Sequence, residues 1–235
     1  MKSAPPLSAI NWPSARRIIS TRHPPIDLFE DIADPKDWEL LAAAESKTNP
    51  RIAASLGRLD LIPPSRRVSG PGASYVIAPF THISSDWSGR FHDGTFGAYY
   101  AAKTFETAVA ETIYHRARFY RATREAPGWF AQLRELVGKI QHDFHDLRQS
   151  GSYSDCLDPV DYGPSQALAR QLREQGSDGI VYPSVRDPQG ECLAAFWPDV
   201  IGLPVQGRAL AYHFDGTRID LVRDETSKDV FRIAD

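Results

Sequence analysis

The stretch Ser88–Glu111, SGRFHDGTFGAYYAAKTFETAVAE, decides the fold. Its first half is punctuated by Gly89, Gly94 and Gly97, the composition of a tight loop. GTFGAYYAA then reads as a strand ending just before Thr104. From Thr104 the period changes. Phe105, Ala108, Val109, Thr112 and Ile113 recur at three- and four-residue spacing, which predicts a helix over TFETAVAETIYHRARFY. Thr104 is its expected N-cap, and Glu106 falls in the first turn, where a carboxylate is favoured. Arg90 lies in the loop, Tyr100 at the strand end and Glu111 inside the helix. A strand running directly into a helix can bring such residues to one cleft.

Towards the C-terminus, PSQALARQLREQGSDGIVYPSVRD predicts a helix opening at Pro164, with Leu168 and Leu172 on one face and Gly176 as its stop. GIVYPSV and ECLAAFWPDVIGL read as buried strands, and ALAYHFDGTRIDLVRD as two strands around an Asp215-Gly216 turn. Towards the N-terminus, ASYVIAPFTHIS reads as a strand broken by Pro79, after a loop rich in Pro, Gly and Ser. Residues 24–60 read as a small helical extension. Asp34 and Pro35 open one helix, with Trp38, Leu40, Leu41 and Ala44 on its apolar face, and Thr48 or Asn49 caps a second before Pro50. The first twenty-odd residues, rich in Pro, Ser and Arg, read as irregular. The expected organisation is an N-terminal extension over 1–62 and a catalytic domain over 63–235. Its class is α+β, because the strands and helices do not alternate as βαβ units.

Composition narrows the function. A 235-residue chain that is 42% hydrophobic and 24% charged can bury a substantial core. A net charge of −3 without a basic block argues against direct nucleic-acid binding. No run is long and apolar enough to span a membrane, and MKSAPPLSAINWPSARR lacks the apolar core of a secretory signal. Cys156 and Cys192 are too few for a disulfide framework. The expected setting is the cytoplasm, with both thiols reduced.

SGRFHDGTFGAYYAAKTFETAVAE resembles the signature of the RES domain: Gly-Gly-Arg-aromatic-Asn, a turn, a strand ending in Tyr-x-Ala, then a helix carrying a Glu. DYGPSQALARQLREQGSDGIVYPSVRDPQGECLAAFWP is similar to the second half of the same family, so the resemblance spans residues 66–205. Two positions depart from the pattern: Ser88 replaces the first Gly, and His92 replaces the Asn. The resemblance implies a fold like the diphtheria-toxin-type ADP-ribosyltransferases, with two small packed sheets and flanking helices. It also implies the toxin of a toxin–antitoxin pair, neutralised by an Xre-like antitoxin that covers an NAD cleft. Such proteins cleave NAD, their substrate, at the nicotinamide–ribose bond. The ADP-ribose passes to a protein acceptor, water or phosphate, and the longer chain favours a protein acceptor.

On this resemblance Arg90, Tyr100 and Glu111 carry the chemistry. Glu111 suits the cationic ribose that develops as nicotinamide leaves. Arg90, with its forked permanent charge, suits pyrophosphate or an adjoining ribose. Tyr100 can stack on nicotinamide and offer its hydroxyl. Ser165 best matches the family's serine, and Ser184 in YPSVR competes with it. Arg67 is a further phosphate candidate, by analogy with an arginine upstream of the GRF-type motif in some members, and Arg58 competes for that role. His82 is a binding candidate by analogy with the strand histidine of diphtheria-type enzymes.

Other readings are weaker. GPGAS lacks GxGxxG and no helix is expected after it, so a dinucleotide-binding Rossmann turn is not supported. HDFHDLR offers His142, His145, Asp143 and Asp146 but no second ligand pair at metal-site spacing; it reads as a strand or turn with solvated charges. A non-catalytic module that sequesters a partner would have no reason to keep Arg, Tyr and Glu together.

Overall fold

A computed structural model describes residues 3–21, 37, 38, 40, 57–84, 88–149 and 151–233. The elements that position the site begin with β2 (Tyr99–Ala102), which runs through two residues into α2 (Phe105–Thr123). Thr104 caps that helix by accepting the Thr107 amide at 3.2 Å, as its sequence predicts. The later units also begin where the sequence places them: α3 (Gly163–Glu174), β4 (Gly179–Pro183) and β5 (Glu191–Ala195), although the strand expected through ECLAAFWPDVIGL stops at Ala195 and Pro198–Val200 is a 3-10 helix. β6 (Val205–Phe214) and β7 (Ile219–Asp224) make the hairpin around Asp215-Gly216, where Gly216 takes φ 105°. A short edge strand, β8 (Val230–Arg232), follows.

Two expectations are corrected. The opening residues are not irregular: Leu7–Ser20 forms a long strand, β1, antiparallel to β3 (Gly128–Asp146) from Leu7 opposite His145 to Ser20 opposite Leu133. Its register shifts between Trp12 and Ala15, around Pro13. Ile10 and Trp12 are buried before the shift, and Ala15 and Ile18 after it, so the period of two that marks a strand is interrupted. The second correction is ASYVIAPFTHIS. Residues Ala73–Thr81 form a helix, α1, that starts from Gly72 at φ 88°. Ala73, Ser74, Val76, Ile77, Phe80 and Thr81 are its buried positions, a helical spacing rather than an alternating one. A helix therefore does follow GPGAS, although the GxGxxG pattern is still absent. HDFHD lies at the end of β3. Of the expected N-terminal helices, Trp38 is buried and Leu40 exposed; Leu41, Ala44, Thr48 and Asn49 lie outside the described residues.

Hydrogen bonding links the strands in the order β1-β2-β5-β4-β3-β6-β7-β8, and β1 also pairs β3. In place of the two small sheets expected, the strands form one eight-stranded sheet, with a β2-β5-β4 group and a β1-β3-β6-β7-β8 group. Short pairings at Arg16–Ala102 and at His145–Ile180 join them. Two apolar clusters pack against these strands. One holds α2 and α3 through Val109, Leu168 and Leu172; the other holds α1 through Val76, Ile77 and Phe80. Successive residues of β4 and β5 alternate between them: Ile180 and Tyr182 face the first, Val181 the second, and Cys192 and Ala194 the first, Leu193 and Ala195 the second. Burial on both faces explains why these strands read as unbroken apolar runs.

Candidate active site

The loop before β2 is fastened by α3. Ser165 donates its hydroxyl to the Arg90 carbonyl at 2.6 Å, and Gln166 donates its amide to the Gly89 carbonyl at 2.9 Å. Arg90 is itself buried. Its Nη1 donates to the carbonyls of Cys156, at 3.1 Å, and Asp158, at 2.6 Å, and its guanidinium lies 4.7 Å from the Tyr162 ring centre. One edge of the fork is thus anchored to backbone, so the whole group is held in one pose at little entropic cost on binding.

Tyr100 reaches the same loop. Its hydroxyl accepts the Phe91 amide at 2.9 Å and lies 2.9 Å from His92 Nδ1. The phenol donates to Nδ1 when the imidazole hydrogen is on Nε2, and accepts from it when the hydrogen is on Nδ1. Burial pushes the phenol well above its ordinary range, so it stays neutral. His92, one of the two departures from the RES pattern, therefore supports Tyr100. Gly89 is required beside them, because a Cβ there would come within 2.3 Å of the His92 ring and 3.0 Å of the Tyr100 hydroxyl.

Glu111 comes from the second turn of α2. Its Oε1 accepts the Ser184 hydroxyl at 2.7 Å and faces the Cys192 thiol at 3.8 Å. Ser184 has little choice in this. Its oxygen accepts the amides of Arg186, at 3.1 Å, and Asp187, at 3.0 Å, which leaves its proton for the carboxylate. One helical turn on, His115 sits at the rim. Desolvation and the charges of Arg186, Arg118 and Arg90 outweigh the pull of Glu111 and lower its pKa, so the imidazole is neutral at neutral pH.

Arg90, Tyr100 and Glu111 line one cavity of about 310 Å³, together with Arg17, His115 and Cys192. Arg17 was hidden from sequence reasoning because its strand was. Its Nη1 donates to the Tyr100 carbonyl at 2.9 Å and its guanidinium lies 4.5 Å from the Tyr99 ring centre. Its Nε is buried with no hydrogen-bond partner. The neighbouring Arg16 also lines the cavity, tied at 2.8 Å to the buried Glu135. The adjacent arginines of SARRIIS were the available signal, once that segment is read as a strand.

The other candidates lie elsewhere. Ser165 supports Arg90 from behind and is fully buried. Arg67 is buried too, donating to the carbonyls of Ile62 and Leu59 at 3.0 and 3.1 Å. Arg58 is exposed and pairs with Asp60. His82 is the C-cap of α1, not a strand end, and is exposed. None of these lines the cavity. His142 lies 3.3 Å from Asp178, and His145 bonds the Pro5 carbonyl at 2.6 Å.

Comparison with known proteins bears on this site. The model of the RES domain matches residues 64–215, most of the chain. The chain belongs to the RES domain family. This RES protein is also similar to "Uncharacterized protein y4oC" of Sinorhizobium fredii (strain NBRC 101917 / NGR234). The two are 30% identical over 209 residues, which cover 88% of this chain and 85% of the relative. Among solved structures, the M. tuberculosis MbcT–MbcA toxin–antitoxin complex contains a chain aligned at 12% identity with a TM-score of 0.45, covering 88% of this RES protein and 87% of that chain. The matched region holds Arg90, Tyr100, Glu111, Ser184 and Cys192, whereas Arg16 and Arg17 precede it. No helix among the described residues is long and apolar enough to cross a membrane.

Proposed function

We propose that this RES protein is the toxin of a toxin–antitoxin pair. It cleaves NAD at the nicotinamide–ribose bond and passes the ADP-ribose to a protein acceptor, which arrests growth. The observation that carries the reading is the shared cavity, in which an anchored carboxylate, Glu111, faces the pinned arginines Arg90 and Arg17. A volume of about 310 Å³ is at the small end of ligand pockets, so the reacting half of the dinucleotide enters and the adenosine end extends outward.

In this mechanism Arg17 and Arg90 hold the pyrophosphate. Arg17 lines the cavity with its guanidinium already held by the Tyr100 carbonyl, so little freedom is lost when it binds. The ring of Tyr100 packs against nicotinamide while its hydroxyl keeps the arginine loop in place. As the C1′–N bond breaks, its electron pair leaves with nicotinamide and neutralises the pyridinium. Positive charge then grows on the ribose, and Glu111 stabilises it from a fixed position. Such preorganised charge is worth most where water is excluded. The neutral His115 at the rim can take the proton of the attacking acceptor. An Xre-like antitoxin would silence the protein by covering the cleft.

Labelled NAD separates the fates of ADP-ribose. Incubation with lysate is expected to place label on protein. Free ADP-ribose without added acceptor, or its 1-phosphate on adding phosphate, would instead identify hydrolysis or phosphorolysis. An active, folded Glu111→Ala protein would overturn the reading altogether.

A further inference from the structure

A carboxylate on a helix reaches its substrate through rotatable bonds, so something must choose which oxygen works. Around Glu111 the hydrogen bonds fall on one side. Ser184 donates to Oε1 from the turn after β4, and the thiol of Cys192 faces the same Oε1 from β5. Oε2 has no hydrogen-bond partner among the described residues. Cys192 is well placed to be fixed. It pairs with Ala102 of β2 on one side and Tyr182 of β4 on the other, and it is buried in the cavity floor. Burial first, and then the charge of Glu111, raise its pKa well above the ordinary thiol range. A thiol in that condition is a poor nucleophile but keeps its hydrogen.

We propose that Cys192 is a positioning residue: its S–H donates to Glu111 Oε1, so that Oε1 is held by two donors and Oε2 is presented to the cavity as the working oxygen. This rests on the proposed role of Glu111 in NAD cleavage. The hydrogen bond itself stands apart from that role. The other titratable or charged groups around the pair are His115 on α2, Tyr182 on β4, Asp187 in the β4–β5 turn and Arg90 in the loop before β2. A thiol here also leaves the floor wide, because sulfur spans 3.8 Å where a hydroxyl donor would need closer approach.

The contact can be read directly. In the full chain carrying Cys156→Ser, Cys192 is the sole thiol, and its S–H stretching band is observable by infrared difference spectroscopy. The band is expected at the lowered frequency of a hydrogen-bonded thiol and should move up in Glu111→Ala. A band that does not respond to Glu111→Ala overturns the proposal. Kinetics supply the second reading. Cys192→Ala should lower kcat for NAD cleavage by about three- to tenfold with KM nearly unchanged, the size of one weak hydrogen bond to a charged group. An alanine variant with full kcat also overturns it. If the wild-type protein cleaves no NAD, the functional reading fails while the infrared band still decides the contact.

Discussion

Ser184 and Glu111 are joined by a 2.7 Å hydrogen bond across 73 positions of sequence, from the turn after β4 to the second turn of α2. The two backbone amides on Ser184 fix the direction of its proton, so the bond has one sense only. Ser184→Ala should therefore reduce kcat for NAD cleavage by about ten- to a hundredfold, the usual cost of losing a hydrogen bond to a charged group. Steady-state kinetics on a variant with unchanged circular dichroism checks this. A wild-type rate would remove Ser184 from the site.

Tyr100→Phe keeps the ring and deletes the hydroxyl. The Phe91 amide and His92 Nδ1 both lose their partner. Thermal or urea unfolding should show a loss of about 1–3 kcal/mol, the cost of leaving buried polar groups unpaired. NAD cleavage should fall as well, because the same loop carries Arg90.

Arg17→Lys tests the strand arginine. Lysine keeps the charge but loses the planar fork, one arm of which bonds the Tyr100 carbonyl. Isothermal titration with NAD, in a catalytically silent Glu111→Gln background, should show affinity weakened by about tenfold or more. Unchanged affinity would place the pyrophosphate elsewhere.

Acid should loosen the fold through Arg148. Burial alone would raise the carboxyls of Asp146 and Glu191. Hydrogen bonds outweigh it and hold both below their ordinary values, from Arg148 to Asp146 and from Lys103 and Arg148 to Glu191. Groups with depressed folded pKa values stabilise the protein above the unfolded carboxyl range, near pH ~4, and lose that contribution as pH falls through the folded values. The urea midpoint should therefore drop below about pH 4. Arg148→Met should flatten that drop.

Much of the site was legible because its signals are local. Thr104 caps, the apolar spacing of Phe105 to Ile113 repeats helically, and the strand before them is short and apolar. The RES resemblance then singled out Arg90, Tyr100 and Glu111. What stayed hidden depends on distant partners. Pro13 interrupts the alternation of β1, and its mate β3 lies far along the chain. In α1 a nine-residue apolar run fits helix or strand equally until Gly72 and the burial of both Ala73 and Ser74 decide. The preference for Ser165 over Ser184 rested on the resemblance alone, because only the folded chain shows one bonding Arg90's backbone and the other Glu111's carboxylate.

β1 also governs when the cavity can exist. Arg16 and Arg17 are made well before their partners: the Arg16–Glu135 pair spans 119 residues, and Cys192 of the cavity floor emerges later still. A nascent chain carries β1 without its main partner until β3 has been made. The cavity is therefore closed by its last wall, and can take a ligand as a whole, only once β5 has been made.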